Sequence, residues 1–387
     1  MQILFISESY YPHLSGVPVV VKYLAEGLVA RGHQVTIATS IDTNEDLPGH
    51  DALNGVEICR YRIWRDIVKS LHGDLKGIQS LALEKRFDRI IIECGQAATT
   101  DAVLPVLSAI TCPVLLHAHG LSGLLGKPLA IKSDFKYTIG ASYNWLRMQW
   151  YYGHTFKQAC KYFDASISLT PCDSGSAYLR KHVRNNLVLG NAADDIFFEP
   201  TKENYEIALD GRPYLISIAN YTVVKNQIDI LRQFYKCYHS NYALVMIGSQ
   251  PTAYFRKLVK ENEKLSARFG KRTVLMLTGI DRKYFPYLLD GASLYLVSST
   301  YEEYSISIIE AMARGIPFVS TDVGNARLLP GGVTLDSIKD MHIAIDRLLS
   351  DEKKRIELGN AARKYAYDNC RIDAVVDLLE KMIEKVR

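Results

Sequence analysis

The sequence predicts an α/β protein made of two doubly wound domains, and three observations carry that prediction. Short apolar runs of strand length alternate with helix-length stretches along nearly the whole chain. These runs are apolar at every position rather than at every second one, the mark of parallel strands covered by helices on both faces. The rhythm is also interrupted once, by a polar stretch with prolines, and then begins again. At roughly 150 residues per domain, 387 residues suit two such units.

The first unit opens on the strand Ile3 to Ile6, followed by a loop from Ser7 to Gly16. Pro18 suits a first helical turn, where its missing N–H is not needed. Val17, Val21, Leu24, Ala25 and Leu28 share one helical face, and Gly32 ends the helix. A strand at 34–39 completes the β-α-β unit. Further strands are expected at 56–58, 89–92, 114–116, 165–169 and 187–189. The polar stretch 199–205, with Pro200 and then Pro213, is the best boundary. Beyond it, strands are expected at 214–218, 243–247, 274–277, 294–297 and 317–320. The expected division is therefore a first domain over 1–198, a linker over 199–213 and a second domain over 214–370. A last helix (371–387), with Val375, Val376, Leu379 and Met382 on one face, completes the chain. In such sheets ligands bind outside the carboxyl ends of the strands.

Composition excludes several classes. Lys+Arg 46 against Asp+Glu 42 leaves a net charge of +4, too balanced for a disordered tail or a dedicated nucleic-acid binder. No apolar run approaches the ~18 residues of a membrane span. No basic, apolar and small-residue succession marks a secretory signal at the start. The seven cysteines are scattered and free of C-x-x-C, so they read as reduced thiols of a cytoplasmic protein. No G-x-G-x-x-G follows a strand, which argues against a dinucleotide-binding dehydrogenase.

The richest stretch runs from Ser298 to Pro317. A helix is expected from about Tyr304 to Arg314, with Gly315 as its stop and Glu302 just before it. Glu310 lies about two turns inside. Free amides at Tyr304, Ser305 and Ile306 favour an anion or hydroxyl cluster, and two carboxylates accept bidentate hydrogen bonds from sugar diols. His117 and His119 end a strand on one face, so a metal site has to be weighed. No carboxylate or cysteine lies at a suitable local spacing, and none is expected.

Glu302-x7-Glu310, the following Ala-Met-Ala-x-Gly-x-Pro, and Ser320-Thr-Asp-Val-Gly324 together resemble the donor-site signature of glycosyltransferase family 4. The resemblance extends over essentially the whole chain. It implies the GT-B fold, two Rossmann-like domains facing across a cleft with a C-terminal helix returning to the first. It also implies a retaining, metal-independent transferase whose nucleotide-sugar donor, a UDP-sugar first, is a substrate and not a cofactor. On the family's pattern Glu310 holds the ribose, Glu302 the donor sugar, and the amides of Tyr304, Ser305 and Ile306 the diphosphate. Lys225 would clamp the diphosphate with the residue at Asn220, where the family usually has Arg; Arg327 is one candidate for the missing charge. Gly16 resembles the glycine loop before the first helix, and Gly279 and Ile280 the segment facing the nucleobase. His119 is expected beside the donor sugar, and the turn from Gly190 to Asp194 is expected to be structural.

The acceptor is expected to be a saccharide or glycolipid, in cell-surface polysaccharide or glycoconjugate synthesis. Between 127 and 161 lie Lys127, Lys132, Lys136, Arg147, Lys157 and Lys161 with one anion, Asp134, interleaved with Phe135, Tyr137, Tyr143, Trp145, Trp150, Tyr151, Tyr152 and Phe156. Such a mixture suits an anionic membrane surface, so a peripheral position at the inner face of the membrane is weighed beside solvated cations over core aromatics. A nucleotide-sugar 2-epimerase and a non-catalytic nucleotide or polysaccharide binder are the alternatives. The former needs additional acid–base residues that the sequence does not show.

Overall fold

The computed structural model describes residues 1–13, 16–41, 45–124 and 135–386. Its contacts divide the chain into two compact units, Met1–Gly190 with Val375–Arg387, and Asn191–Ala374.

The first unit is built on β1 (Gln2–Ser7), β2 (Gln34–Ser40), β3 (His50–Leu53), β4 (Val56–Tyr61), the hairpin β5 (Ile63–Arg65) and β6 (Leu71–Gly73), β7 (Arg89–Glu93), β8 (Val114–His117), β9 (Ala165–Ser168) and β10 (Asn186–Val188). Eight of them form one sheet in the order β10-β9-β8-β7-β1-β2-β4-β3. All its pairs are parallel except β3 with β4. Leu4, Ile6, Ile90, Ile92 and Leu116 pack on one face with Ile78, Leu107, Phe156 and Leu179. Ile3, Phe5, Ile91 and Leu115, alternating with them, are fully buried on the other. β3 and the β5–β6 hairpin escape the apolar-run criterion because they carry polar, largely exposed residues at the edge or off the sheet. The order reverses between β1 and β7, the position at which doubly wound sheets open a crevice at their carboxyl ends.

From Val375 onward the last helix (Ile372–Lys385) belongs to this first unit. Its Val376 lies against the helix Val17–Ala30 at Gly27, where a Cβ would come within 2.6 Å of the valine methyl. Glu380 takes His33 Nε2 at 2.7 Å and Arg31 Nε at 3.3 Å. Arg89 Nε donates to the Ile383 carbonyl at 2.7 Å.

The second unit has an all-parallel sheet of β11 (Tyr214–Ile218), β12 (Ala243–Gly248), β13 (Val274–Thr278), β14 (Ala292–Val297), β15 (Phe318–Thr321) and β16 (Gly332–Leu335), in the order β13-β12-β11-β14-β15-β16. Alternation again divides two cores. Ile216, Val245, Tyr295 and Phe318 pack with Ile308 and Met312, whereas Leu215, Leu244, Leu294 and Val319 pack with Leu231, Phe234, Leu258 and Ile345. The unit begins at Asn191, eight residues before the boundary expected from sequence. The reason is packing: Phe197 is fully buried in the second core and the Ala193 amide donates to the Cys370 carbonyl at 2.9 Å. The reversal in this sheet falls between β11 and β14, so the loops after these two strands share one edge.

Candidate functional site

Those two loops carry Lys225 and Glu302, and hydrogen bonds tie them together. Ser298 Oγ donates to the carbonyls of Lys225 (2.8 Å) and Asn226 (2.9 Å), and the Thr300 amide donates to the Val224 carbonyl at 2.8 Å. Lys225 Nζ forms an ion pair with Glu302 Oε1, which also accepts from Ser299 Oγ at 2.6 Å. Glu302 is backed by Gly324, whose φ of +56° is in the left-handed region and whose Cβ, if present, would lie 3.1 Å from Glu302 Cβ. The next residue, Asn325, accepts the Ser305 amide on its Oδ1 at 2.8 Å. The helix that follows runs Ile306–Ala313, later than the sequence suggested, with Ser305 as its N-cap.

Glu310 lies inside that helix and its side chain is almost wholly buried. Its Oε1 pairs with the guanidinium of Arg282, itself half-exposed and stacked 5.1 Å above the Phe197 ring. Burial raises the Glu310 pKa above the usual carboxylate value, and the Arg282 charge offsets part of that rise. Arg282 stands just beyond Gly279 and Ile280. Gly279 has φ +70° and its amide donates to the Ser249 carbonyl at 3.0 Å, so the turn is held from within. Ile280 packs against the core beneath.

In the first unit Gly16 has φ +67° and caps the helix Val17–Ala30, with open space where a side chain would stand. Its neighbour Ser15 lies outside the described residues. At the carboxyl ends of β7 and β8, Glu93 and His117 are register partners on adjacent parallel strands. His119, at φ +52°, folds back so that its ring lies 3.9 Å from that of His117. Glu93 Oε2 is 2.5 Å from His119 Nε2 and 3.1 Å from His117 Nδ1. All three side chains are buried, and His119, expected beside the donor sugar, is engaged by Glu93. Burial would raise the Glu93 pKa, but the two imidazoles overcome it and hold the carboxyl at about 2. Burial first, and His117 second, lower the pKa of His119. Spacing along the chain offers this pair no carboxylate partner because Glu93 is remote; strand register supplies it.

Comparison with known proteins places the second unit. Residues 200–365 match the family described as glycosyl transferases group 1. Residues 200–365 are a group 1 glycosyltransferase domain. An uncharacterized glycosyltransferase of Methanocaldococcus jannaschii is 24% identical over 395 residues, covering 97% of this chain and 96% of that protein. Sucrose-phosphate synthase from Thermosynechococcus elongatus superposes with a TM-score of 0.70 at 16% identity, over 99% of this chain and 98% of that one. HepE from Anabaena, solved in complex with UDP-glucose, gives 0.64 at 15% identity over 99% of both chains. These likenesses establish the fold as GT-B.

The group 1 domain therefore contains Lys225 and Glu302 at one sheet edge, and Glu310 within the helix that follows. Of the three amides expected to face a ligand, that of Ser305 is already taken by Asn325; Ile306 is the first helical residue, where an amide has no partner within its helix. Asn220 is exposed and its carbonyl accepts from Gln227 Nε2 at 3.0 Å. Arg327, the candidate for the missing cation, is half-exposed and pairs with Asp322 at 2.8 Å and Asp336 at 2.5 Å. A further cation, Arg282, is paired with Glu310, and no motif in the sequence marks it. A basic residue two places after Ile280 was its only trace in the sequence.

Of the basic, aromatic stretch, Lys127, Lys132 and Asp134 lie outside the described residues, as do the side chains of Phe135, Lys136 and Tyr137. Tyr151, Tyr152 and Phe156 are core residues. Tyr143, Leu146 and Trp150 are 54%, 61% and 65% exposed on the helix Phe135–Trp150. Among the described residues no helix is long and apolar enough to cross a membrane.

Proposed function

We propose that this protein is a retaining glycosyltransferase that moves a sugar from a nucleotide-diphosphate sugar to a hydroxyl of a saccharide or glycolipid. The observation that carries the reading is the Lys225–Glu302 ion pair at the switch point of the group 1 domain, with the buried Glu310 on the helix that follows Glu302. Glu310 accepts the ribose hydroxyls, which displace Arg282 from its carboxylate. Lys225 neutralises charge on the departing diphosphate, without recourse to a metal ion there, and Glu302 orients the lysine and the sugar. Neither glutamate stands free as the nucleophile or general acid a glycosidase would need, because each carboxylate is engaged by a cation. Uridine is the base of first choice, supported by the UDP-glucose held by HepE. Cell-surface polysaccharide or glycoconjugate synthesis is the setting such an acceptor implies.

A panel of nucleotide sugars in a thermal-shift assay tests the donor. A UDP-sugar is expected to give the largest rise, since a ligand at 100 Kd stabilises by about 2.7 kcal/mol. No shift with any nucleotide sugar would sink the reading. Incubation with the best donor alone separates transfer from 2-epimerisation, which needs no acceptor.

A membrane-bound acceptor is favoured by the row Tyr143, Leu146 and Trp150. Spaced i, i+3 and i+7, they share one helical face beside Arg147, an arrangement suited to the headgroup layer. The protein is expected to sediment with anionic vesicles at low salt and less at high salt. Protein left in the supernatant with anionic vesicles at low salt would point to a soluble acceptor instead.

A further inference from the structure

The cluster at the carboxyl ends of β7 and β8 is built unlike an ordinary histidine–carboxylate contact. Glu93 and His117 are fully buried, and His119 nearly so. Glu93 Oε2, His117 Nδ1 and His119 Nε2 all lie within 4.8 Å of one another. A hydrogen-bonded network would share the two carboxylate oxygens between the two rings. Instead one oxygen faces both rings, and Glu93 Oε1 has no hydrogen-bond partner. His117 Nδ1 is 3.1 Å from Oε2 but makes no hydrogen bond to it, and both nitrogens of that ring are without a hydrogen-bond partner. Buried polar atoms are ordinarily paired, and each exception calls for a cause.

His119 Nε2 and Glu93 Oε2 form a hydrogen bond, but Glu93 Oε1 and His117 Nδ1 beside it are left unpartnered, buried polar groups that a cation would satisfy. We propose that Glu93, His117 and His119 hold a first-row divalent transition-metal ion, with zinc the best fit. Two imidazoles and one carboxylate are a recurrent zinc set that leaves a fourth position open. Magnesium and calcium, which prefer oxygen donors, fit poorly. The fold provides the three ligands from two places only. Register puts Glu93 beside His117 on neighbouring strands. The left-handed backbone at His119 then turns the second imidazole back over the first. Among the described residues no lysine or arginine pairs with Glu93; its only charge partners there are the two histidines. Bound there, the ion would pin the segment after β8 to the end of β7 at the edge where this sheet opens its crevice. His119 would then serve as a ligand instead of a group beside the sugar.

The inference is independent of sugar transfer, because its readout is metal binding. The full chain, stripped with a chelator and dialysed, is titrated with Zn2+ by calorimetry and with Co2+ by visible absorption. One ion per chain is expected, with the strong visible band of a four-coordinate Co2+ site. Glu93→Gln, His117→Ala and His119→Ala are each expected to weaken binding about a hundredfold or more, since loss even of an outer partner costs 10- to 100-fold. Zn2+ is expected to raise the melting temperature of the stripped parent and not of the variants. Glu93→Gln keeps the side chain's size, so a fold is retained for that comparison even if an alanine variant fails. Less than one ion bound by the parent overturns the proposal. So does uptake or a melting-temperature rise that survives in Glu93→Gln, because exposed histidines such as His13 and His72 would then be the ligands.

Discussion

Lys225→Ala is expected to lower turnover about 100- to 1,000-fold while changing affinity for free nucleoside diphosphate far less. The ammonium acts where the sugar–phosphate bond breaks, so its contribution grows as negative charge gathers on the leaving group. Glu302→Gln should fall in the same direction, because Glu302 holds Lys225 in place and is itself held by Ser299 and the turn at Gly324. The two losses should not add. Once the ion pair is broken by one substitution, the other has less left to remove, and the double variant should resemble the worse single one. Steady-state kinetics on an identified acceptor, set beside nucleoside diphosphate titrations, measures both quantities. Turnover within about twofold of the parent in both single variants would remove the pair from the catalytic centre.

How far this pair was legible in the sequence shows what a linear reading can reach. Each residue stood in its own recognisable stretch, Lys225 after the first strand of its unit and Glu302 before a helix. Their meeting was not legible, because it depends on β14 lying beside β11 in the sheet. Apolar runs disclosed the inner strands of both sheets, where both faces are covered. They passed over β3 and β16, whose edge positions relax that demand. Glu93 was missed for the same kind of reason: it reaches His117 through strand register, not through spacing along the chain. Arg282 and Asn325 were missed because one basic residue and one amide in loops carry no periodic signal. The boundary at Asn191 was obscured because its cause, burial of Phe197, lies in packing rather than in composition.

Glu310→Gln is expected to weaken nucleoside diphosphate binding by about 1.5–3 kcal/mol, or roughly 10- to 150-fold, because a charged acceptor is replaced by a neutral one. The ribose is held alike in ground and transition states, so the loss should appear in affinity more than in turnover at saturation. Arg282 makes a further distinction. It now neutralises Glu310 from a half-exposed position, so it can turn to solvent when hydroxyls arrive. Burial has already raised the Glu310 pKa, and removing the offsetting guanidinium in Arg282→Ala raises it further. The sign follows directly: the ribose needs the ionised form, so affinity falls as pH falls through the raised pKa. In Arg282→Ala that fall should begin at higher pH than in the parent, and in Glu310→Gln it should be absent. Calorimetry with the best-binding nucleoside diphosphate across a pH series decides. Unchanged affinity in Glu310→Gln would remove the ribose from this carboxylate, and parallel pH profiles for all three proteins would remove Arg282 from its control.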